Sequence, residues 1–375
     1  MNSQAIQHNL DWIWPYWVER QFDPNDDAFI PRAFSISQIN LTHRNWTAVG
    51  IPDSEDYPIV DPRGLVTPLF DGWSIDAWII NQDKTKTLIP SRLLEASQQM
   101  STSQNLKITS TFSNEHFSLT SVVQSIGTPK NSFCQIELKA NSKLIHDKCW
   151  LAVSLRPYNP EGVSFIHTVE ALKDTPGWKV NKKDVVQFDT SPDHYSFSYY
   201  RRGDVFSSLL RDQEQAKDTY CKVGMATAAA LFKLELNHEK TITLHIPLQA
   251  NQTEKPSSDF VSLAVKSWKE AESNICQLEI PDKHFQFLYE AAVRTLILHT
   301  PHETYPGPYT YRQFWFRDAA FILYAMTAIG LTERAKRTLD FFPKRQNKFG
   351  YFLSQDGEWD SNGEALWIFQ KFCQM

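Results

Sequence analysis

An arginine and an aspartate stand side by side at Arg317 and Asp318, inside a stretch from Tyr309 to Phe321 that reads YTYRQFWFRDAAF. A guanidinium offers its donors in a fixed fork, and an ionised carboxylate only accepts, so the pair can meet the mixed donors and acceptors of a pyranose's hydroxyl groups. Trp315 and Tyr311 add flat apolar faces on which a sugar ring can rest. The same residues read equally well as a salt-bridged pair at a helix N-terminus, where the macrodipole favours Asp318 without any ligand. Residue types alone leave both readings open.

The surroundings shift the balance. Around the pair the sequence runs YPGPYTYRQFWFRDAAFILYAMTAIG, and further on FGYFLSQDGEWDSNGEALW. In this order and at this spacing the two segments resemble the glucoamylase-like six-hairpin glycosidases. In that family an aromatic-rich loop ending in W-x-R-D-A leads into a barrel helix, and its Arg-Asp pair binds hydroxyls of the terminal sugar. The resemblance carries that role onto Arg317 and Asp318, with Trp315 as the aromatic before the pair. Asp360 to Gly363 resembles the D-x-x-G segment that opens another inner helix. The expected substrate-binding set is therefore Arg317, Asp318, Trp315, Tyr311 and Asp360. In detail the resemblance covers only about the last ninety residues.

The elements that must position these residues follow from periodicity. Up to about residue 250 the chain reads as strands separated by Gly, Pro, Asn and Asp turns. Cys134, Ile136 and Leu138 alternate, as do Leu151, Val153 and Leu155, then Phe232, Leu234 and Leu236, then Ile242, Leu244, Ile246 and Leu248. Such runs without intervening helices predict a large antiparallel β-sandwich. The last two flank Asn237 to Lys240 and read as a hairpin. A polar break, NQTEKPSS at 251–258, precedes a helical pattern through Phe260, Leu263, Ala264, Trp268 and Ala271.

From Pro281 the period stays near 3.6. One helix carries Phe285, Leu288, Ala292 and Leu296, with Pro281 suited to its first turn. Another runs from Phe316 to Ile329 and stops at Gly330, and a third spans Leu331 to Phe342 with Pro343 ending it. A last one, capped by Asp360 or Ser361, passes through Trp367 and Phe372. The expected class is β then α: a sandwich domain at 1–255, a linker helix at 256–280, and at 281–375 the start of an (α/α)6 toroid-type helical domain. The same order, sandwich, helical linker and barrel of twelve helices, is what the resemblance implies. Twelve helices with their loops need more than about two hundred residues. Residues 281–375 hold four or five by that measure, so the helical domain is expected to be incomplete and the chain a truncated one.

Glycoside hydrolysis ordinarily uses two carboxyl groups, one as acid and one as base or nucleophile. By the resemblance both are glutamates on later barrel loops, downstream of the chain end, so no catalytic residue is assigned. Glu303, Glu358 and Glu364 read as loop or helix-surface charges. Neither a cofactor nor a metal is implied, and His43 has no second ligand at metal spacing.

The formal net charge of −5 supplies no basic stripe for nucleic acid or an anionic membrane, and neither is expected as a partner. Five cysteines at scattered positions, with no CxxC, read as buried, reduced thiols. The N-terminus lacks the apolar core of a signal peptide, which predicts a cytoplasmic protein. Partners expected from the resemblance are an oligosaccharide or α-glucan, and a second chain could complete the helical barrel.

Six tryptophans, Trp12, Trp14, Trp17, Trp46, Trp73 and Trp78, crowd the first hundred residues. They read as sandwich core or as a glycan-binding groove, and His43, Arg44, Asp61 and Arg63 as an ion network beneath them. The first reading of function is thus a glucoamylase-like glycoside hydrolase or its N-terminal part. The alternative is a non-catalytic carbohydrate-binding protein that uses the tryptophan-rich sandwich.

Overall fold

The computed structural model describes residues 12–29, 46–210, 216–249 and 255–375. His43, Arg44 and residues 251–254 of the polar break lie outside the described residues. Two large antiparallel sheets, of eight and nine strands among the described residues, are followed by helices.

In the second sheet Phe117–Thr128 and Asn131–Ser142 form a long ladder, flanked by Lys107–Ser113 and Lys240–Pro247. Along Asn131–Ser142 the side chains of Cys134, Ile136, Leu138 and Ala140 are buried and those between them are partly exposed. One face therefore meets the other sheet, which is the physical content of the alternation. In the first sheet Cys149–Arg156 lies between Ser74–Asn81 and Ala226–Leu234 and is buried at every position. Its second face, with Trp150 and Ala152, packs on Ile13, Trp78, Val205 and Leu209. Helix α1 (Tyr16–Phe22) places Trp17 and Val18 in the main core, whereas helix α2 (Val205–Ser208) belongs to that outer layer.

The expected hairpin around Asn237 does not form. Ala226–Leu234 pairs with Cys149–Arg156 and His194–Tyr199, whereas Lys240–Pro247 pairs with Asn131–Ser142 in the other sheet. Alternation fixes which face of a strand is buried but not which neighbour it takes. Asn237, at φ 56, helps turn the chain from one layer to the other.

Asp204, the N-cap residue of α2, is fully buried against Arg156. Both residues also bind the backbone of Ile13, which gives its N–H to Asp204 Oδ2 at 2.8 Å and accepts Arg156 Nη2 at 2.8 Å. The pair ties the N-terminal segment to the sandwich.

Helix α3 (Phe260–Ala271) lies on the sandwich, with Phe260 5.8 Å from the Phe133 ring and Trp268 Nε1 donating to the Gly50 carbonyl at 3.3 Å. Helix α4 (Lys283–Leu298) is capped by Asp282, whose Oδ1 accepts from the His284 and Phe285 amides. Pro281 thus precedes the cap rather than filling the first turn. Helix α5 (Phe316–Ala328) ends before Gly330 at φ 92. Helix α6 (Thr332–Leu339) is shorter than its pattern predicts, and Pro343 sits inside a separate 3-10 turn, Phe342–Arg345, instead of ending the helix. Pro needs no amide partner in a first turn, so it is tolerated there. Helix α7 is Ser361–Gln374.

No helix among the described residues is long and apolar enough to cross a membrane. All five cysteines are free, but Cys276 and Cys373 are exposed, against the expectation of burial.

Candidate functional site

Helix α5 begins where it does because Phe314 and Phe316 are both buried in a nest of rings. Phe316 lies 5.0 Å from Phe314, 4.9 Å from Phe342 and 5.3 Å from Phe352. Trp315, between them, is extended at φ −127 and ψ 140 and serves as the N-cap residue. Arg317 and Asp318 then fall in the first turn, Arg317 exposed and Asp318 partly so. Tyr311 returns beside them, its ring 5.8 Å from that of Trp315 and tilted by 57°. Tyr311, Trp315, Arg317 and Asp318 are thus gathered at one helix start.

The loop before α7 closes the other side. Arg317 Nε donates to Asp360 Oδ2 at 2.6 Å, with the two side chains 56% and 40% exposed. The salt bridge weighed between Arg317 and Asp318 is therefore replaced by one between Arg317 and Asp360, because successive residues of a helix do not face one another. Asp360 stands at the N-cap of α7 without capping it through its side chain. The hydrogen bond from Arg317 holds the Asp360 carboxyl below the usual range.

Glu358 is buried, not a surface charge as its sequence position suggests. Its carboxylate accepts the backbone N–H of Arg317 at 3.1 Å, the Ser361 hydroxyl at 2.9 Å, and the Ser354 hydroxyl. It caps α5 and pins the loop to that helix, so the positive end of the helix is met by an anion. The serines on either side, Ser354 and Ser361, are the only sequence hint of this role. Of the other glutamates considered, Glu303 pairs with Arg345 at 2.5 Å and Glu364 lies in the first turn of α7.

Several polar groups at this site remain unspent. Among the described residues the Asp318 carboxylate and the two Nη groups of Arg317 have no hydrogen-bond partner, and Asp360 Oδ1 and the Trp315 indole N–H are covered but unpaired. Covered polar atoms are ordinarily bonded. The bonded Arg317 guanidinium and Asp360 carboxylate, the Asp318 carboxylate in the same helical turn, and the Tyr311 and Trp315 rings together make up the polar and aromatic groups at the start of α5. Such an array can bind a neutral polyol by hydrogen bonds and a ring face by stacking. No group of three side chains suited to a metal ion occurs among the described residues.

Sequence reasoning missed how the sandwich holds the loop before α5. Tyr309 donates its hydroxyl proton to Asp71 Oδ1 at 2.9 Å and accepts from Asn159 Nδ2 at 2.7 Å. Arg312 lies over the rings of Tyr57 and Phe70, 5.1 and 4.7 Å from their centroids, and donates to the Glu55 carbonyl. Thr310 bonds to Glu161. Burial pushes the Tyr57 hydroxyl up to about 12 and His299, stacked on it, down to about 4. Each partner is a single loop residue far away in sequence, which leaves no local pattern.

Of the two readings of the six early tryptophans, core packing or a glycan groove, the structure shows core packing for five. Trp12, Trp14, Trp17, Trp73 and Trp78 are buried, and Trp46 is half-buried with its ring edge-on to Tyr309. Asp61 is also buried, its Oδ1 accepting the Arg63 and Leu65 amides, while the Arg63 guanidinium serves the Leu93 and Leu94 carbonyls and covers the Tyr16 ring.

No family model and no curated protein matches the sequence. Among solved structures the chain is similar to a bacterial glucoamylase complexed with acarbose, with a TM-score of 0.59 and 13% identity over 85% of this chain and 54% of that one. A protein assigned as a kojibiose phosphorylase from the human microbiome matches over 74% of this chain and 40% of its own, with 13% identity and a TM-score of 0.44. The glucoamylase likeness shows a glycosidase-like fold, a β domain followed by a helical one, and the chain spans about half the length of that enzyme.

Proposed function

We propose that the chain belongs to a glucoamylase-like glycoside hydrolase directed at α-glucans or related oligosaccharides, in which Arg317 and Asp318 anchor the sugar at the non-reducing end. Asp360 orients Arg317, and Trp315 and Tyr311 border the ring. In this reading residues 1–255 form the sandwich domain, 256–280 the linker, and 281–375, with α4 to α7, the first part of an (α/α)6 toroid. A second chain completing the helical barrel belongs to the same proposal. The acid and base that hydrolysis needs are not assigned to any residue of this chain, and carboxyl chemistry of that kind calls for no metal.

The observation that carries the reading is the unspent hydrogen-bonding capacity at the start of α5: the Asp318 carboxylate and the Arg317 Nη groups, each without a partner among the described residues. Burial of five tryptophans of the sandwich speaks against the alternative of a glycan-binding sandwich. The test is calorimetric titration of the 375-residue chain with maltotriose. Asp318→Ala is expected to weaken binding by about tenfold or more, since the sugar loses a charged acceptor. Equal affinity for the wild type and Asp318→Ala would overturn the assignment.

A further inference from the structure

His299 stands at the C-terminal end of α4, where the helices meet the sandwich. Its ring is stacked on that of Tyr57, from the sandwich, at 6.0 Å and 17°, and the Arg312 guanidinium lies 5.1 Å from the centre of the same tyrosine ring. Tyr57 thus links His299 to Arg312, the residue that directly follows Tyr311 in the loop before α5. The backbone makes a second tie, since the His299 carbonyl accepts the Tyr305 N–H at 2.9 Å. His299 is 8% exposed, and its Nε2 is covered with no hydrogen-bond partner among the described residues. A neutral imidazole leaves only a modest polar group unmet there, whereas an imidazolium donates from both nitrogens and carries a charge. The added proton would meet no acceptor, and the charge would face the Arg312 cation. Burial first, and Arg312 second, hold His299 down at about 4. The charged and titratable groups around it come from three segments. Asp56 and Glu55 belong to the sandwich loop that carries Tyr57, Asp56 lying 3.7 Å from Arg312 and Glu55 3.5 Å from His302. Glu303, taken up by Arg345, and Tyr305 belong to the loop after α4. Arg334 and Arg337 of α6 bond the Thr300 carbonyl and pair with Asp53. Within α4, Arg294 pairs with Glu272. None of these carboxylates reaches His299 Nε2.

We propose that His299, as the neutral imidazole, is a positioning residue for the loop that carries Tyr311 and Trp315, and that its protonation in acid releases this loop from the sandwich. The inference rests on the proposed function and deepens it, giving the same sugar site an acid limit set at the junction of sheets and helices. His299 acts through Tyr57 and Arg312 and does not touch the sugar. The sign follows from where the proton is accommodated. A loop held against Tyr57 keeps His299 neutral, while a released loop returns the ring to water, where it takes up a proton at its ordinary value of 6.5. From 6.5 down to about 4 the released state therefore binds more protons, and the held state loses ground as pH falls through that window.

The experiment measures maltotriose affinity of the 375-residue chain and of its His299→Phe and His299→Gln variants, with thermal melts as a check on folding. Between pH 7 and about pH 4.5 the wild type is expected to lose affinity by about threefold or more. His299→Phe keeps a ring against Tyr57 without a titrating nitrogen, so it should match the wild type at neutral pH and lose much less in acid. His299→Gln, without the ring, should bind more weakly at neutral pH and likewise respond little to acid. A residue that merely fills space would shift the melting temperatures and leave the acid response intact, so a wild-type acid response in both variants overturns the proposal. Asp56→Asn and His302→Gln test the other groups that titrate nearby. Each should keep the wild-type response, and its loss in either would place the switch there and not at His299. A wild type that binds equally well at both pH values overturns the acid release while leaving the sugar site standing. One that binds no maltotriose at neutral pH overturns the proposed function, and the role of His299 with it.

Discussion

Arg317 shows how a side chain's partner depends on direction more than on sequence distance. Its neighbour Asp318 points elsewhere on the helix, and the carboxylate of Asp360 takes its Nε instead. Elsewhere, burial decides the state of the acids. Asp61 is 3% exposed, with Oδ2 unpaired, and desolvation pushes its pKa up to about 7, partly offset by the Leu65 and Arg63 amides. Asp76 is pushed up to about 6, again by burial. A raised carboxyl pKa means that the folded chain holds a proton that the unfolded chain releases. Between the ordinary value of 3.8 and about 7 the folded state binds more protons, so these groups make stability fall as pH rises through that window. Asp61→Asn keeps the acceptor for both amides and removes the titration. The wild-type melting temperature should drop more between pH 5 and pH 8 than that of Asp61→Asn, by about 2–4 °C for each kcal/mol involved. Parallel pH profiles would show that Asp61 does not titrate in this range.

At the scale of elements, the start of α5 depends on a residue from another segment. Trp315 provides the cap geometry but no capping side chain, and Glu358 supplies the missing acceptor to the Arg317 amide. Glu358→Ala should therefore cost about 0.5–2 kcal/mol, the usual worth of a cap, and should also loosen the proposed sugar site, since the α7 loop is held through the same carboxylate. Glu358→Gln, which retains an acceptor oxygen, should cost less. Urea midpoints of the three proteins measure this, and the idea is lost if alanine and glutamine behave alike. Helix ends with a local signature were legible, as at Gly330 after α5. The α6 end was not, because Pro343 can begin a 3-10 turn as readily as it ends a helix.

For the whole molecule, the sandwich and the helices are joined by loop contacts around the site. Asp53 accepts from Arg334 at 2.9 and 2.7 Å and from Arg337 at 2.8 Å, and Tyr309 reaches Asp71 and Asn159. Removing one hydroxyl, as in Tyr309→Phe, leaves two sandwich side chains short of a partner, at about 1–3 kcal/mol. The variant is expected to melt earlier and to bind maltotriose more weakly, although Tyr309 is not placed against the sugar. Wild-type affinity in a destabilised Tyr309→Phe would mean that the sandwich stabilises the helices without positioning the Tyr311 and Trp315 loop.

By itself the sequence determined the strands that carry Cys134 to Leu138, Leu151 to Leu155, Phe232 and Leu234, and Ile242 to Ile246, the order of sheets before helices, the positions of α3 and α5, and the grouping of Tyr311, Trp315, Arg317 and Asp318. Each of these is written in periodicity or adjacency within a few residues, where local sterics and burial act directly. Tertiary structure alone decided which sheet receives Lys240–Pro247, that Arg317 turns to Asp360, that Glu358 goes inside, and that Trp359 stays outside. Those outcomes depend on which distant segments share space, and one-dimensional pattern carries no term for that.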